Sequence, residues 1–370
     1  MTTTANIVNR KWSMDMIRFA IFYLLLTLFA APTFAAFEDT GTGARATSLA
    51  GAYVALGDDI PSLMYNPASL ARISRPEIAS EYSRLFTGLS DGSSIGQFFM
   101  GYGQPLKVGG TVAFGWKQFN VSDLYTERTL SLGYGRWITP RWAAGAAIKQ
   151  LHESFSVPNI IVDDAGNVQS GTPAIFAQNG NSQNAISADM GVLYRLTDRY
   201  TAGVSVQDVN EPDMALSSTD QDHIPRTIRT GLAYQGSRGL SVTTGLNIWK
   251  SSCCQQDFKG MAGVEKWWTA PVYGEWAARG GMAFGTRELR QFSMGFGYRF
   301  TSFRIDYAFM FNMSGVVIGD TAGTHRFSIA YRFGSNEPSG SVIKSAAENS
   351  PQLTIPPEAV EPLPTTVHNR

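Results

Sequence analysis

The sequence predicts an all-β protein, a transmembrane antiparallel β-barrel of about fourteen strands. Three observations carry this reading. Apolar and small or polar residues alternate strictly in segment after segment. The segments run close to ten residues, the length a tilted strand needs to cross a bilayer. The connections between them sort by parity, tight on one side and long on the other.

The alternation is plainest between Arg290 and Phe300, RQFSMGFGYRF. Phe292, Met294, Phe296, Tyr298 and Phe300 oppose Gln291, Ser293, Gly295, Gly297 and Arg299. Successive strand side chains point to opposite faces, so one face is large and apolar and the other small or charged. Composition agrees with a second non-aqueous surface. Charged residues are 16% of the 370, against roughly 25% in soluble domains. Gly is raised, at 37 residues, and aromatics reach 12%. A net charge of zero gives no support for a nucleic-acid partner.

The N-terminus reads as a secretory signal over residues 1–35. Arg10, Lys11 and Arg18 form a basic region, Ile17 to Ala31 an apolar stretch, and Thr33-Phe34-Ala35 a cleavage site, which places the mature start near Ala36. The apolar stretch falls short of the roughly 20 residues of a spanning helix. Residues 36–76 have a different texture, with small residues, turn formers and short apolar runs. Arg45 to Leu56 suits a short helix with Leu49, Tyr53 and Leu56 near one face. Asp58-Asp59 and Asn66-Pro67 are boundary signals for short elements. The segment is too small to fold alone and needs a surface to pack on.

From residue 77 to 334 the strands are expected near 77–89, 95–103, 108–119, 126–138, 141–155, 184–196, 200–208, 225–235, 239–250, 257–268, 272–285, 290–300, 302–312 and 324–333. Trp116, Trp137, Trp142, Trp249, Trp267 and Trp268 fall near expected strand ends, where interfacial girdles sit. Every even connection is tight, and the odd ones include 156–183, 209–224, 251–256 and 313–323. Outer-membrane barrels sort turns and loops in this way. An even strand number leaves both termini on the short-turn, periplasmic side. Residues 335–370 carry six prolines and no periodicity, the composition of a disordered periplasmic tail.

The stretch GARATSLAGAYVALGDDIPSLMYNPASLA, residues 43–71, resembles the N-terminal signature of the FadL-related (OMPP1/FadL) outer-membrane proteins, particularly their PorV/PorQ-like branch. Gly43, Ala44, Arg45, Gly51, Ala52, Ala55, Asp58, Asp59, Asn66, Pro67, Ala68 and Leu70 carry the match. THRFSIAYRFG, residues 324–334, resembles that branch's closing strand. The resemblance implies that residues 36–76 fold inside the lumen as a hatch, in the outer membrane of a Gram-negative-type bacterium. FadL-type members pass long-chain fatty acids and other hydrophobic compounds inward by passive diffusion. PorV-type members serve type IX secretion. The Pro-rich tail is not part of the shared pattern.

No catalytic constellation emerges, and no cofactor or metal is expected. Gly41 to Ala46 fits a dinucleotide fingerprint by letter but follows no strand. His152-Glu153 lacks a second His at helical spacing. Asp163 to Asn167 lacks EF-hand spacing and reads as a hairpin tip. Cys253 and Cys254 read as loop cysteines, without metal spacing or a redox motif.

The expected hatch residues are Arg45, Asp58, Asp59, Asn66 and Pro67. Buried charges need partners, so the two aspartates are set against a lumen wall carrying Arg195, Arg229, Arg299, Arg304, Arg326 and Arg332. Two readings stay open: these contacts fix the hatch in place, or they set whether it leaves a path. In loop 156–183, Val157, Ile160, Ile161, Ile175 and Phe176 form apolar runs. They make either the loop's own small core or an extracellular capture surface. The expected partners are outer-membrane lipid with a small hydrophobic solute or with secretion-system proteins. Passive transport of small hydrophobic molecules is the first expectation, and a PorV-like secretion component that binds partner proteins is the second.

Overall fold

The computed structural model describes Phe37 and residues 39–89, 92–157, 160–162, 168–250, 256–270, 273–286, 289–313 and 321–334. The expected signal (1–35), the tail (335–370), Cys253, Cys254 and the hairpin tip 163–167 lie outside the described residues.

Fourteen antiparallel strands close into a barrel. They are β1 (Glu77–Leu85), β2 (Ile95–Pro105), β3 (Thr111–Val121), β4 (Tyr125–Trp137), β5 (Trp142–Phe155), β8 (Ser182–Arg195), β9 (Tyr200–Gln207), β10 (Thr227–Gln235), β11 (Leu240–Lys250), β12 (Gln256–Ala270), β13 (Gly274–Gly285), β14 (Arg290–Phe300), β15 (Phe303–Asn312) and β16 (Thr324–Arg332). Each pairs with its neighbour in the chain, and β1 closes on β16 from Glu77↔Arg332 to Arg84↔His325. Two small strands, β6 (Ile160–Val162) and β7 (Val168–Ser170), form a separate hairpin. Every expected strand is present, with ends shifted by a few residues. The first is shorter than 77–89 because Phe86 takes a left-handed conformation, φ 47°, and turns the chain after Leu85.

The alternation places side chains as the pattern requires. In β14, Gln291, Ser293 and Gly297 are buried inside, while Met294, Phe296 and Phe300 are exposed outside. Tyr82, Leu132, Ile148, Met190, Met282 and Phe327 continue the exposed apolar surface around the barrel. So large an apolar surface fits lipid rather than water. The tryptophans divide by the same parity. Trp142, Trp268 and Trp276 face outward. Trp137, Trp249 and Trp267 share the inward parity of Glu127, Asn247 and Glu265, so they do not join a lipid-facing girdle. Trp116 sits mid-strand, opposite Met100 and Leu130, because β3 runs on to Val121.

Residues 39–73 pack against the inward faces of the strands. The helix α1 spans only Ala44–Ser48, not Arg45 to Leu56. Ala50 (φ 56°) and Gly51 (φ 86°) are left-handed and reverse the chain, which ends the helix. Leu49, Tyr53 and Leu56 still meet, in one cluster with Ala46, Tyr65 and Ala233 of the wall. Two 3₁₀ helices follow, Ile60–Met64 and Pro67–Arg72. Each begins after an expected boundary residue, Asp59 or Asn66. The Asn66 carboxamide caps the second, accepting from Ala68 N at 3.0 Å. Ile60, Leu63 and Leu70 pack on Phe99, Ala79, Ala113 and Ala147 of the wall.

Candidate functional site

The wall makes room for this segment with small residues. Inward glycines face one another across the ladder, as Gly135↔Gly145, Gly145↔Gly191, Gly203↔Gly231, Gly231↔Gly245 and Gly263↔Gly281. The segment's main chain lies directly against them. A Cβ at Gly135 would stand 2.5 Å from Pro67 O, at Gly203 2.7 Å from Val54 O, and at Gly281 2.5 Å from the Leu49 carbonyl carbon. Real Cβ atoms do not approach so closely, so these positions require glycine while the segment is docked. Side chains complete the seam. Asn66 Nδ2 donates to Val54 O (3.0 Å) and Val192 O (3.3 Å), Gln207 Nε2 to Met64 O (2.7 Å) and Thr243 Oγ1 to Ala52 O (2.9 Å).

Charges form the second layer of contact. Arg45 makes a bidentate pair with Glu265, Nε–Oε2 2.7 Å and Nη2–Oε1 2.8 Å, and also pairs with Asp58. Glu265 takes Arg279 Nε on the same oxygen at 2.6 Å, and Arg279 Nη1 continues to Asp306 Oδ1 at 2.7 Å. Arg304 pairs with Asp306 (2.9 Å) and reaches Asp59 Oδ2 at 2.7 Å, which the Tyr53 hydroxyl also contacts, donating at 2.8 Å. Arg326 pairs with Glu81 at 2.8 Å and donates to Gly41 O at 3.2 Å. Arg332 pairs with Glu77 at 2.5 Å and donates to Asp58 O at 3.2 Å. Arg229 meets Asp39 at 3.0 Å. Shared, charge-assisted hydrogen bonds of this kind stiffen a buried network when its members are partnered.

The protonation of the segment follows from this layout. Burial works against a charge on Asp58, but Arg45, Arg332 and Arg304 outweigh it and hold its carboxyl well below the usual range. Burial likewise opposes ionisation of Asp39, and Arg229, Lys259 and Lys117 overcome it. For Arg45 the opposing burial is exceeded by Asp58 and Glu265, which keep the guanidinium charged.

Of the wall arginines singled out from sequence, Arg229, Arg304, Arg326 and Arg332 reach the segment. The other two serve the short-turn rim. Arg195 stacks over Trp137 at 4.6 Å, and Arg299 pairs with Glu275 and lies 4.7 Å from the Trp267 ring centre. Sequence reasoning passed over the acidic half of the lattice, Glu77, Glu81, Glu265 and Asp306, and also Arg279. Their parity was the available signal, since each falls on the small-residue face of its strand. Pro67 adds only a rigid start to its 3₁₀ helix.

Between the segment and the long-loop rim lies a cavity of about 900 Å³. Phe37, Tyr65, Met261, Trp249 and Leu289 contribute apolar surface, and Asp39, Lys117, Lys149, Asp189, Asp208 and Arg229 contribute charge. Lys149 is held by Asp189 (2.8 Å) and Asp208 (2.7 Å). The loop 208–226 bends inward, so Met214 and Ile224 bury against Leu151 and Phe37. Above Met190, β8 has no strand partner in β9, and Asn210 satisfies its main chain instead, donating to Ile186 O (2.8 Å) and accepting from Ala188 N (3.2 Å). Of the apolar loop residues, Val157 is half-buried and precedes β6, which contains Ile160 and Ile161. Ile175 and Phe176 lie in the short helix α2 (Ala174–Asn179), where Phe176 stacks on Phe155 at 5.9 Å. Among the described residues, no group of three His, Cys, Asp or Glu side chains could hold a metal ion.

Solved structures with the same fold include the CymD monoaromatic hydrocarbon channel, at 12% identity and TM-score 0.57, covering 82% of this chain and 100% of that one. The Ralstonia pickettii toluene transporter TbuX gives 14% and 0.58, over 80% and 100%. A Pseudomonas aeruginosa FadL homologue gives 13% and 0.54, over 79% and 98%. At these identities the likeness establishes the fold. No curated protein matches the sequence. The family of type IX secretion system membrane proteins PorP/SprF matches residues 143–331, strands β5 through β16. The FadL-related barrel and the outer-membrane location expected from sequence therefore stand, with PorP/SprF as the secretion branch matched. This chain belongs to the type IX secretion system membrane protein PorP/SprF family.

Proposed function

We propose that this protein is a closed component of a type IX secretion apparatus, with residues 39–73 as a fixed hatch and the cavity above them as a cup for a partner protein. One observation carries the reading: the hatch is tied to β12, β13, β15 and β16 by the buried lattice Arg45–Glu265–Arg279–Asp306–Arg304–Asp59 together with Arg326. Moving it would separate several desolvated charges at once, and breaking one buried pair costs about 3–5 kcal/mol. The register is unbroken between β2 and β3, from Ile95↔Val121 to Pro105↔Thr111. Where β8 lacks a β9 partner above Met190, the bonds of Asn210 to Ile186 O and Ala188 N cover the gap, and both features argue against a lateral path. Planar-bilayer recording tests the hatch. The intact protein is expected to stay near the baseline, and deletion of residues 39–73 to produce conductance steps. Equal conductance would mean that the segment does not plug the lumen. Mild-detergent purification tests the cup, and failure to recover any secretion-system protein would count against it.

A second reading, passage of small hydrophobic molecules, draws on the fold shared with hydrocarbon channels and on the apolar surface of Phe37, Met261 and Leu289 in the cavity. Uptake of labelled fatty acid by cells with and without the protein separates the two readings. Equal uptake would exclude the second.

A further inference from the structure

The short-turn rim carries a predominantly positive arc of charge that neither the hatch nor the cavity uses. Arg136 and Arg141 flank the β4–β5 turn, Arg199 lies in the β8–β9 turn, Arg238 in the β10–β11 turn, and Lys266 on β12. The turns adjoin, since Arg195 N donates to Arg141 O (2.8 Å), Gln235 N to Arg199 O (2.8 Å) and Lys266 Nζ to Arg238 O. Arg136, Arg141, Arg199 and Arg238 are all exposed and make no ion pair among the described residues. Asp198 is the one carboxylate in these turns. On the opposite rim the exposed charges are mixed, with Asp123, Asp213 and Asp220 beside Arg84, Arg226 and Lys250.

Position decides what such an arc can bind. Arg136 and Lys266 have the outward parity of Leu132 and Val264, so they leave the wall on its lipid side. Trp142 and Trp268 share that side and that level, with Lys266 Nζ 5.9 Å from the Trp268 ring centre. Aromatic rings of this kind lie at headgroup depth. Guanidinium groups beside them meet phosphate oxygens, which they engage with two parallel hydrogen bonds. Unpaired like charges side by side also repel, and an anion at the arc relieves that repulsion.

We propose that the arc from Arg136 to Lys266 binds the phosphates of anionic phospholipid in the adjoining membrane leaflet. An acidic periplasmic protein would also answer the charge, but it would not need basic side chains on the lipid face of the wall. The arc thus selects a lipid and sets the depth and tilt of the barrel from one sector of its rim.

The full-length protein reconstituted in nanodiscs of mixed phosphatidylglycerol and phosphatidylcholine tests this, with retained lipids weighed by native mass spectrometry. Wild type is expected to retain the anionic lipid with roughly tenfold preference, about the effect of one or two surface charges. R136Q/R141Q/R199Q/R238Q should lose that preference while keeping the heat-modifiable gel shift of a folded barrel. Should the quadruple variant not fold, R136Q/R141Q and R199Q/R238Q are each expected to lose part of the preference. No preference in wild type would overturn the proposal, as would an equal preference in the folded variants. Recovery of an acidic protein that the variants lose, without lipid enrichment, would overturn it in favour of a protein partner.

Discussion

Arg45 is the most heavily committed charge of residues 39–73, the proposed hatch, and Arg45→Met tests the reasoning built on it. Its side chain is 8% exposed and that of Glu265 is 1% exposed. The substitution keeps the aliphatic stem but removes the fork that holds both Glu265 oxygens, the pair with Asp58 and the bond to the Tyr53 hydroxyl (3.1 Å). Leaving a buried charge without its partner costs about 3–5 kcal/mol. Glu265 retains Arg279 at 2.6 Å, and Asp59 retains Arg304 at 2.7 Å, so the lower end applies. About 3 kcal/mol in local opening corresponds to roughly a hundredfold faster exchange of the hatch amides. Hydrogen exchange in detergent reads this directly at Ala50, Gly51 and Gly57, whose N–H groups bond within the segment. Strand amides of β5 serve as the reference and should not change. R45M/E265Q should regain about tenfold of the lost protection, because the second change removes the excess negative charge that R45M leaves in the lattice. An acceleration below about threefold in R45M would refute the view that this lattice holds the hatch.

Other consequences are open to simpler measurements. Gly281→Leu and Gly203→Val place a side chain where the Leu49 and Val54 main chain lies, so they should expose residues 39–73 to protease or abolish folding; outward-facing Gly280, with open space at its Cβ, should accept Ala without effect. The depressed Asp58 and Asp39 carboxyls make docking pH-dependent with a definite sign. Their contribution is full above about pH 4, the ordinary carboxylate value, and is lost as pH falls toward their folded values. Protection of the hatch should therefore be flat from pH 5 to 8, and a loss beginning near pH 6 would contradict the assignment. Asn210→Ala removes the bonds to Ile186 O and Ala188 N, and should weaken closure of the β8 notch by about 1–2 kcal/mol. Faster exchange at Ala188, with β2 unchanged, is the expected reading.

Much of the wall was legible because its signal is local. A period of two in Phe292 to Phe300 identifies the lipid face without knowing any neighbour, and Asn66-Pro67 announces a 3₁₀ start within its own few residues. The same parity reassigns Trp137, Trp249 and Trp267 to the inside, where residue type alone suggested a girdle. The helix at Arg45 was overextended because Ala50 turns left-handed under tertiary packing, which an alanine-rich run does not advertise. Composition and the resemblance to FadL-related proteins led to the expectation that residues 36–76 lie inside the barrel, and residues 39–73 pack on its inner face. Their attachment could not be read from sequence, since Arg45 and Glu265 stand 220 residues apart.

The sequence by itself determined the barrel, its strand number, its lipid face and the sorting of turns and loops, because each depends on patterns a few residues long. Tertiary structure alone decided which charges meet and why inward glycines face one another across β4, β5 and β8, across β9, β10 and β11, and across β12 and β13. It also revealed that Arg136, Arg141, Arg199 and Arg238 on the short-turn rim make no ion pair among the described residues. Those facts depend on the register between strands and on the path of residues 39–73 through the lumen. Both arise only when the sheet closes and its inner face must be filled.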